Sequence, residues 1–93
     1  MIKSSGITYP DVTITAFFNN PEAGFPHHIE AGKSLELGKH YEVSIINMGQ
    51  SYTSVKLADF PDLVFTSTQF KFFEGDNEIN IFRDHRFNPY IRR

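Results

Sequence analysis

His40-Tyr41-Glu42-Val43-Ser44-Ile45-Ile46-Asn47, Met48-Gly49-Gln50-Ser51 and Tyr52-Thr53-Ser54-Val55-Lys56-Leu57 follow one another without a break, and they decide the fold class. Tyr41, Val43 and Ile45 alternate with other residues, and Thr53, Val55 and Leu57 alternate with Ser54 and Lys56. Alternation places each set on one face of a half-buried strand. The short polar stretch between them contains a glycine, so it turns the chain and joins the strands, at 40–47 and 52–57, into a hairpin.

The same reading extends downstream. Asp59-Phe60-Pro61-Asp62 supplies a turn, because proline presets φ and aspartate bonds nearby backbone N–H groups. Leu63-Val64-Phe65 is a short apolar strand and Thr66-Ser67-Thr68 a single helical turn; Gln69–Phe73 then resumes the alternation with Phe70 and Phe72 inward. Glu74-Gly75-Asp76-Asn77 has the residues of a hairpin turn, since Gly, Asp and Asn tolerate positive φ. A strand at 78–82 follows, with Ile79 and Ile81 on one face.

Upstream, Val12, Ile14, Ala16 and Phe18 share a face of another strand. Asn19-Asn20-Pro21-Glu22-Ala23-Gly24-Phe25-Pro26 opens a long loop over 19–34, as its prolines and glycine interrupt ladders. Apolar residues at i, i+3, i+4 and i+7 are not sustained over a helical length anywhere, so little helix is expected. Residues 83–93 have no period and read as an extended tail; its Phe87, Tyr90 and Ile91 are expected to pack on the body, because clustered aromatics are unfavourable in water.

Ninety-three residues make one domain, with the barrel body at 12–82. Five to six short antiparallel strands with regular turns suit an all-β, partly open barrel, since closure hides strand edges. The absence of cysteine removes disulfides, thiolate nucleophiles and cysteine-held metals. The chain has no apolar run long enough for a signal peptide or membrane span, and a cytoplasmic location is expected. The formal charge of −2 is too balanced for a general nucleic-acid binder, although Arg83, Arg86, Arg92 and Arg93 give the tail a basic character that residues 1–82 lack.

Catalytic chemistry finds no frame in this sequence. Ser51, Ser67 and the histidines lack a nucleophile-elbow motif. His27, His28, Glu30, His40 and His85 lack metal-ligand spacing, and neighbours such as His27 and His28 point apart on an extended chain. The carboxylate pairs Asp59/Asp62 and Asp76/Glu78 sit at turns, where such groups bond backbone amides. No phosphate-cradling glycine motif occurs. A non-enzymatic protein with no cofactor and no metal is expected.

Leu37-Gly38-Lys39-x-Tyr41-x-Val43, Thr53-Ser54-Val55-x-Leu57 and Phe65-Thr66-Ser67-x-x-Phe70-x-Phe72 resemble the strands of SH3-like barrels over less than half the chain. The absence of tryptophan and of the Ala-Leu-Tyr-like start departs from peptide-binding SH3 domains and argues against proline-rich ligands. Tyr41-Glu42-Val43, Met48–Val55, Phe65-Thr66-Ser67 and Phe87-Asn88-Pro89-Tyr90 are similar to small accessory proteins encoded by bacteriophages and prophages of Gram-positive bacteria. That group includes inhibitors of host enzymes and of bacterial immune systems, so the resemblance implies binding to a host or anti-phage defence protein.

The aromatics agree with a binding role. Phe17, Phe25, Phe60, Phe73, Phe82 and Phe87 exceed what a small core already holding Tyr41, Phe65, Phe70 and Phe72 accepts, and surplus aromatics anchor interfaces. Their burial beneath the loop and tail is the bland alternative. Phe25, His27, His28, Arg83, Arg86, Phe87 and Tyr90 are the expected contacts with a protein partner. Two further readings stay open: a nucleic-acid surface of Lys56, Lys71, Phe73, Arg83 and Arg86, and a homodimer or larger assembly paired through edge strands.

Overall fold

The computed structural model describes residues 1–49 and 51–90, and its spine is the strand His40–Met48. In chain order the strands among these residues are β1 (Ile2–Ser4), β2 (Ile7–Tyr9), β3 (Thr15–Phe18), β4 (His40–Met48), β5 (Thr53–Leu57), β6 (Phe60–Thr66), β7 (Phe70–Glu74) and β8 (Asn77–Ile79). Helix α1 (Pro26–Gly32) joins β3 to β4, and 3-10 turns occupy Ser67–Gln69 and Ile81–Arg83. β3 to β8 correspond to the strands read from alternation, and the all-β, partly open barrel holds.

β4 belongs to two sheet segments. Its start pairs antiparallel with β3 (Ala16↔Tyr41), which continues through β7 to β8. Its later part pairs with β5, which continues to β6. The β4–β5 register slips between Val43 and Ile45, a bulge that reverses side-chain parity. Tyr41 and Val43 face the core before the bulge, and Ile46 and Met48 face it afterwards. Ile45, expected inward, is consequently only half-buried. The bend lets one strand serve both segments and curls the sheet.

The N-terminus adds a hairpin that alternation does not reveal. Ser5 and Gly6 turn β1 into β2 with φ of +50° and +84°, the left-handed geometry that hairpin turns favour. β1 runs parallel to β4, with Lys3↔Ile45 and Ser4↔Ile46, so the strands are not all antiparallel.

Four other segments depart from expectation. The 19–34 loop contains α1, which is too short to display an apolar period; Pro26 suits its first turn, where a missing N–H and a fixed φ do no harm. The turn expected at 59–62 is tighter, because Leu57 pairs with Phe60; Pro61 sits in β6 where the ladder to β5 is interrupted, and so removes no ladder bond. The last strand ends at Ile79 instead of Phe82, because Asn80 Oδ1 accepts the Phe82 N–H at 3.0 Å and starts a 3-10 turn. The tail is folded back and its Phe87 lies fully in the core, with the Tyr9 ring edge to face at 6.4 Å. Residues 91–93, including Ile91 and the tail's Arg92 and Arg93, lie outside the described residues.

Candidate binding site

Three separate stretches of chain converge on a cleft of about 390 Å³. The first wall is the β4–β5 turn, Met48, Gly49 and Ser51 to Thr53; the floor is Thr66, Ser67 and Thr68; the far wall is Phe82, Asn88 and Tyr90. The β5 alternation explains the first wall. Thr53 shares the inward face of Val55 and Leu57, which leaves Tyr52 directed outward and 39 % exposed. The floor is fixed by Gln69, whose Oε1 accepts the Thr66 N–H at 3.1 Å and whose Nε2 donates to the His28 carbonyl at 3.1 Å.

The far wall depends on Asn88. Its Nδ2 donates to the Phe82 carbonyl at 2.8 Å, and its Oδ1 accepts the Tyr90 N–H at 2.9 Å. One side chain thus holds two aromatic residues that remain 47 % and 65 % exposed. Tyr52, Phe82 and Tyr90 rim a cleft whose described lining residues carry no charge.

Phe25 extends this aromatic surface. It is exposed and meets Tyr52 edge to face, with ring centroids 5.6 Å apart, while His27 stacks on it at 6.0 Å. His28 lies beneath, wholly buried, its ring 5.1 Å from Tyr52. The His28 Nδ1 accepts the Phe25 N–H at 3.1 Å, which in the neutral ring leaves Nε2 as the protonated nitrogen. Among the described residues Nε2 finds no hydrogen-bond partner. Burial, and then the neighbouring His27, lower the His28 pKa below the ordinary histidine value.

The tail that carries the far wall is anchored by Arg86. Its guanidinium donates to Glu74 at 2.8 and 3.0 Å and to Asp84 at 2.7 Å, and its carbon lies 5.0 Å from the Phe87 ring centre. Hydrogen bonds from Arg86 hold both carboxyls below their usual range, and the two carboxylates raise the Arg86 pKa. Tyr9 Oη donates to the Arg86 carbonyl at 3.3 Å, and Ser4 Oγ to the Phe87 carbonyl at 3.5 Å, tying the tail to the β1–β2 hairpin.

Among the expected partner contacts, Phe25, His27, Arg83 and Tyr90 are exposed. Two are corrected: His28 and Phe87 have no exposed surface and cannot touch a partner. Both are apolar-bodied rings in aperiodic segments, where sequence gives no inside or outside. Arg86 is engaged by its carboxylates. In the nucleic-acid set, Lys71 is exposed and Lys56 half-buried, while Phe73, expected on the surface, is half-buried between Phe17 and His40 at ring distances of 6.3 and 5.1 Å. Among the described residues, no three His, Asp or Glu groups converge as metal ligands, and no helix is long and apolar enough to cross a membrane.

Tyr52 and the floor hydroxyls were not foreseen as site residues. Tyr52 had a signal: it immediately precedes an alternation whose inward face begins at Thr53. The floor had none, because its segments meet only in the folded chain.

A protein-family model described as bacteriophage T4 protein Y07B matches residues 13–93. No curated protein and no solved structure matches the chain.

Proposed function

This chain belongs to the bacteriophage T4 protein Y07B family, and from that premise we propose that it is a non-enzymatic accessory protein that binds, and thereby inhibits, a host or anti-phage defence protein. The observation that carries this reading is the exposed rim of Tyr52, Phe82 and Tyr90 around a cleft whose described lining residues carry no charge, continued by Phe25. Interface cores are enriched in aromatics and depleted of charge, and their strongest anchors are aromatic side chains set in pockets. A partner seated here is blocked wherever it is covered, which requires no catalytic group.

The nucleic-acid reading draws less support. Phosphate binding requires free cations, whereas Arg86 is paired with Glu74 and Asp84, and the described cleft lining offers no lysine or arginine.

The test compares tagged wild-type protein with the Tyr52→Ala/Tyr90→Ala double variant in host-cell lysate, with and without nuclease. A stoichiometric protein captured by the wild type after nuclease treatment, and lost by the folded variant, is expected. Capture that disappears with nuclease would transfer the assignment to nucleic acid, and equal capture by both proteins would remove the cleft from the interface.

A further inference from the structure

Among the described residues, His28 Nε2 is the one buried side-chain polar atom without a hydrogen-bond partner, while Nδ1 of the same ring accepts the Phe25 N–H at 3.1 Å. That bond closes the start of α1 at a position where Glu or Gln ordinarily supplies the acceptor. A carboxylate or an amide keeps its acceptor in mild acid. An imidazole that takes up a proton becomes a donor at both nitrogens, so the Phe25 N–H would then face a second donor.

The surroundings offer the cation nothing in exchange. The titratable side chains that meet the His28 ring are His27 of its own helix, at a centroid distance of 3.9 Å, and Tyr52 just before β5, at 5.1 Å. The first adds a like charge when protonated, and the second is neutral. The end of β6 and the 3-10 turn after it present Thr66 and Gln69, both uncharged. Glu30 of α1 and Asp62 of β6 line a cleft with His27 but not with His28, and Glu30 is paired with Lys33 at 2.9 Å. Among the described residues, no carboxylate pairs with the buried ring.

Relief therefore requires opening. Gly24 packs so closely that a Cβ there would stand 2.9 Å from Nδ1, which stops the ring sliding away in place. The cation regains hydration only if the 24–28 segment lifts, and that movement carries Phe25 off Tyr52, which it meets edge to face at 5.6 Å. We infer that His28 is a proton-operated latch on the aromatic surface: neutral, it holds Phe25 against Tyr52 for the partner, and protonated, it releases both Phe25 and the partner. This rests on the protein-binding reading and adds a regulation of the same site. Linkage makes the effect reciprocal, so a bound partner keeps His28 neutral to lower pH.

NMR of the labelled full chain, free in solution, follows the His28 ring nitrogens and the Phe25–Tyr52 ring NOEs from pH 7.5 to 5.0. The NOEs should fade as the His28 ring takes up its proton, while the strand amides keep their dispersion. His28→Gln retains an acceptor that does not titrate and should keep the NOEs throughout; His27→Gln should lose them as the wild type does. In nuclease-treated lysate, capture by the wild type should fall at least about fivefold over the same interval, and capture by His28→Gln should hold. NOEs that survive protonation of His28, a ring that stays neutral to pH 5.0, or an equal loss of capture by His28→Gln would each overturn the inference. If the NOEs fade but capture that needs Tyr52 and Tyr90 is the same at both pH values, the latch falls and the protein-binding reading stands. If Tyr52→Ala/Tyr90→Ala captures as well as the wild type at pH 7.5, both fall.

Discussion

Arg86 grips Glu74 through two parallel hydrogen bonds, 2.8 and 3.0 Å long, between residues twelve apart in sequence. The same guanidinium holds Asp84. This fork joins the tail to the end of β7, and the tail presents Tyr90 to the cleft. The bond geometry is the bidentate arrangement in which arginine exceeds lysine.

Arg86→Ala should destabilise the protein by about 1–2 kcal/mol at neutral pH, as partly exposed but bidentate pairs do. The effect should shrink in acid. Glu74 and Asp84 have folded pKa values below their ordinary 4.5 and 3.8, so their contribution is present above those values and is lost as pH falls through the depressed folded ones. Urea denaturation at pH 7 and pH 3 should show the gap between wild type and variant closing; a gap that persists at pH 3 would mean that Arg86 acts through packing on Phe87.

His28 should produce a second pH dependence, at higher pH. Its pKa is lowered in the folded state, so the unfolded chain binds the proton more readily and stability falls as pH drops below the ordinary value of 6.5. The neutral Nδ1 is also the acceptor for the Phe25 N–H, so protonation there breaks the bond that positions Phe25. Between pH 7.5 and 5.5 the wild-type urea midpoint should decline. His28→Gln should be less stable throughout but flatter over that interval, and an equal decline in both proteins would assign the effect to another group.

How much was legible in advance follows the length over which each residue's environment is decided. The inward faces of β3, β5 and β7 follow from local alternation, because period and burial agree over several residues. The Ser44 bulge was hidden, since Val43-Ser44-Ile45-Ile46 admits either parity and only the pairing with β5 selects one. The β1–β2 hairpin was hidden by the shortness of its strands, with Ser5-Gly6 its one local signal. Ser4 and Tyr9 of that hairpin are the partners that fold the tail inward, so local sequence does not distinguish Phe87 from Tyr90. The aromatic excess was readable as composition, but which rings reach the surface depended on contacts across the whole chain.

Phe87 and Phe25 should therefore separate cleanly. Phe87→Ala removes a fully buried ring and should cost about 3–5 kcal/mol, a large fraction of the stability of a small domain. Phe25→Ala removes an exposed ring and should change stability by roughly 0.5 kcal/mol or less, while weakening partner capture. Thermal melts together with the capture assay distinguish the two; a Phe87→Ala protein as stable as wild type would contradict the folded-back tail.

Gly24 offers the sharpest check on the geometry beneath Phe25. Its φ is +93°, and a Cβ there would stand 2.6 Å from Thr66 Cγ2 and 2.9 Å from the His28 Nδ1. Gly6 has a similar φ of +84°, but open space where its Cβ would be. Gly6→Ala should thus pay only backbone strain, about 1–2 kcal/mol, whereas Gly24→Ala adds a clash with the cleft floor and with the ring that accepts the Phe25 N–H. The expected result is a lower melting temperature for Gly24→Ala than for Gly6→Ala, with partner capture reduced only in the former. Equal melting temperatures would show that the 19–28 segment shifts freely, and that Phe25 is not held against Tyr52 by the packing of His28.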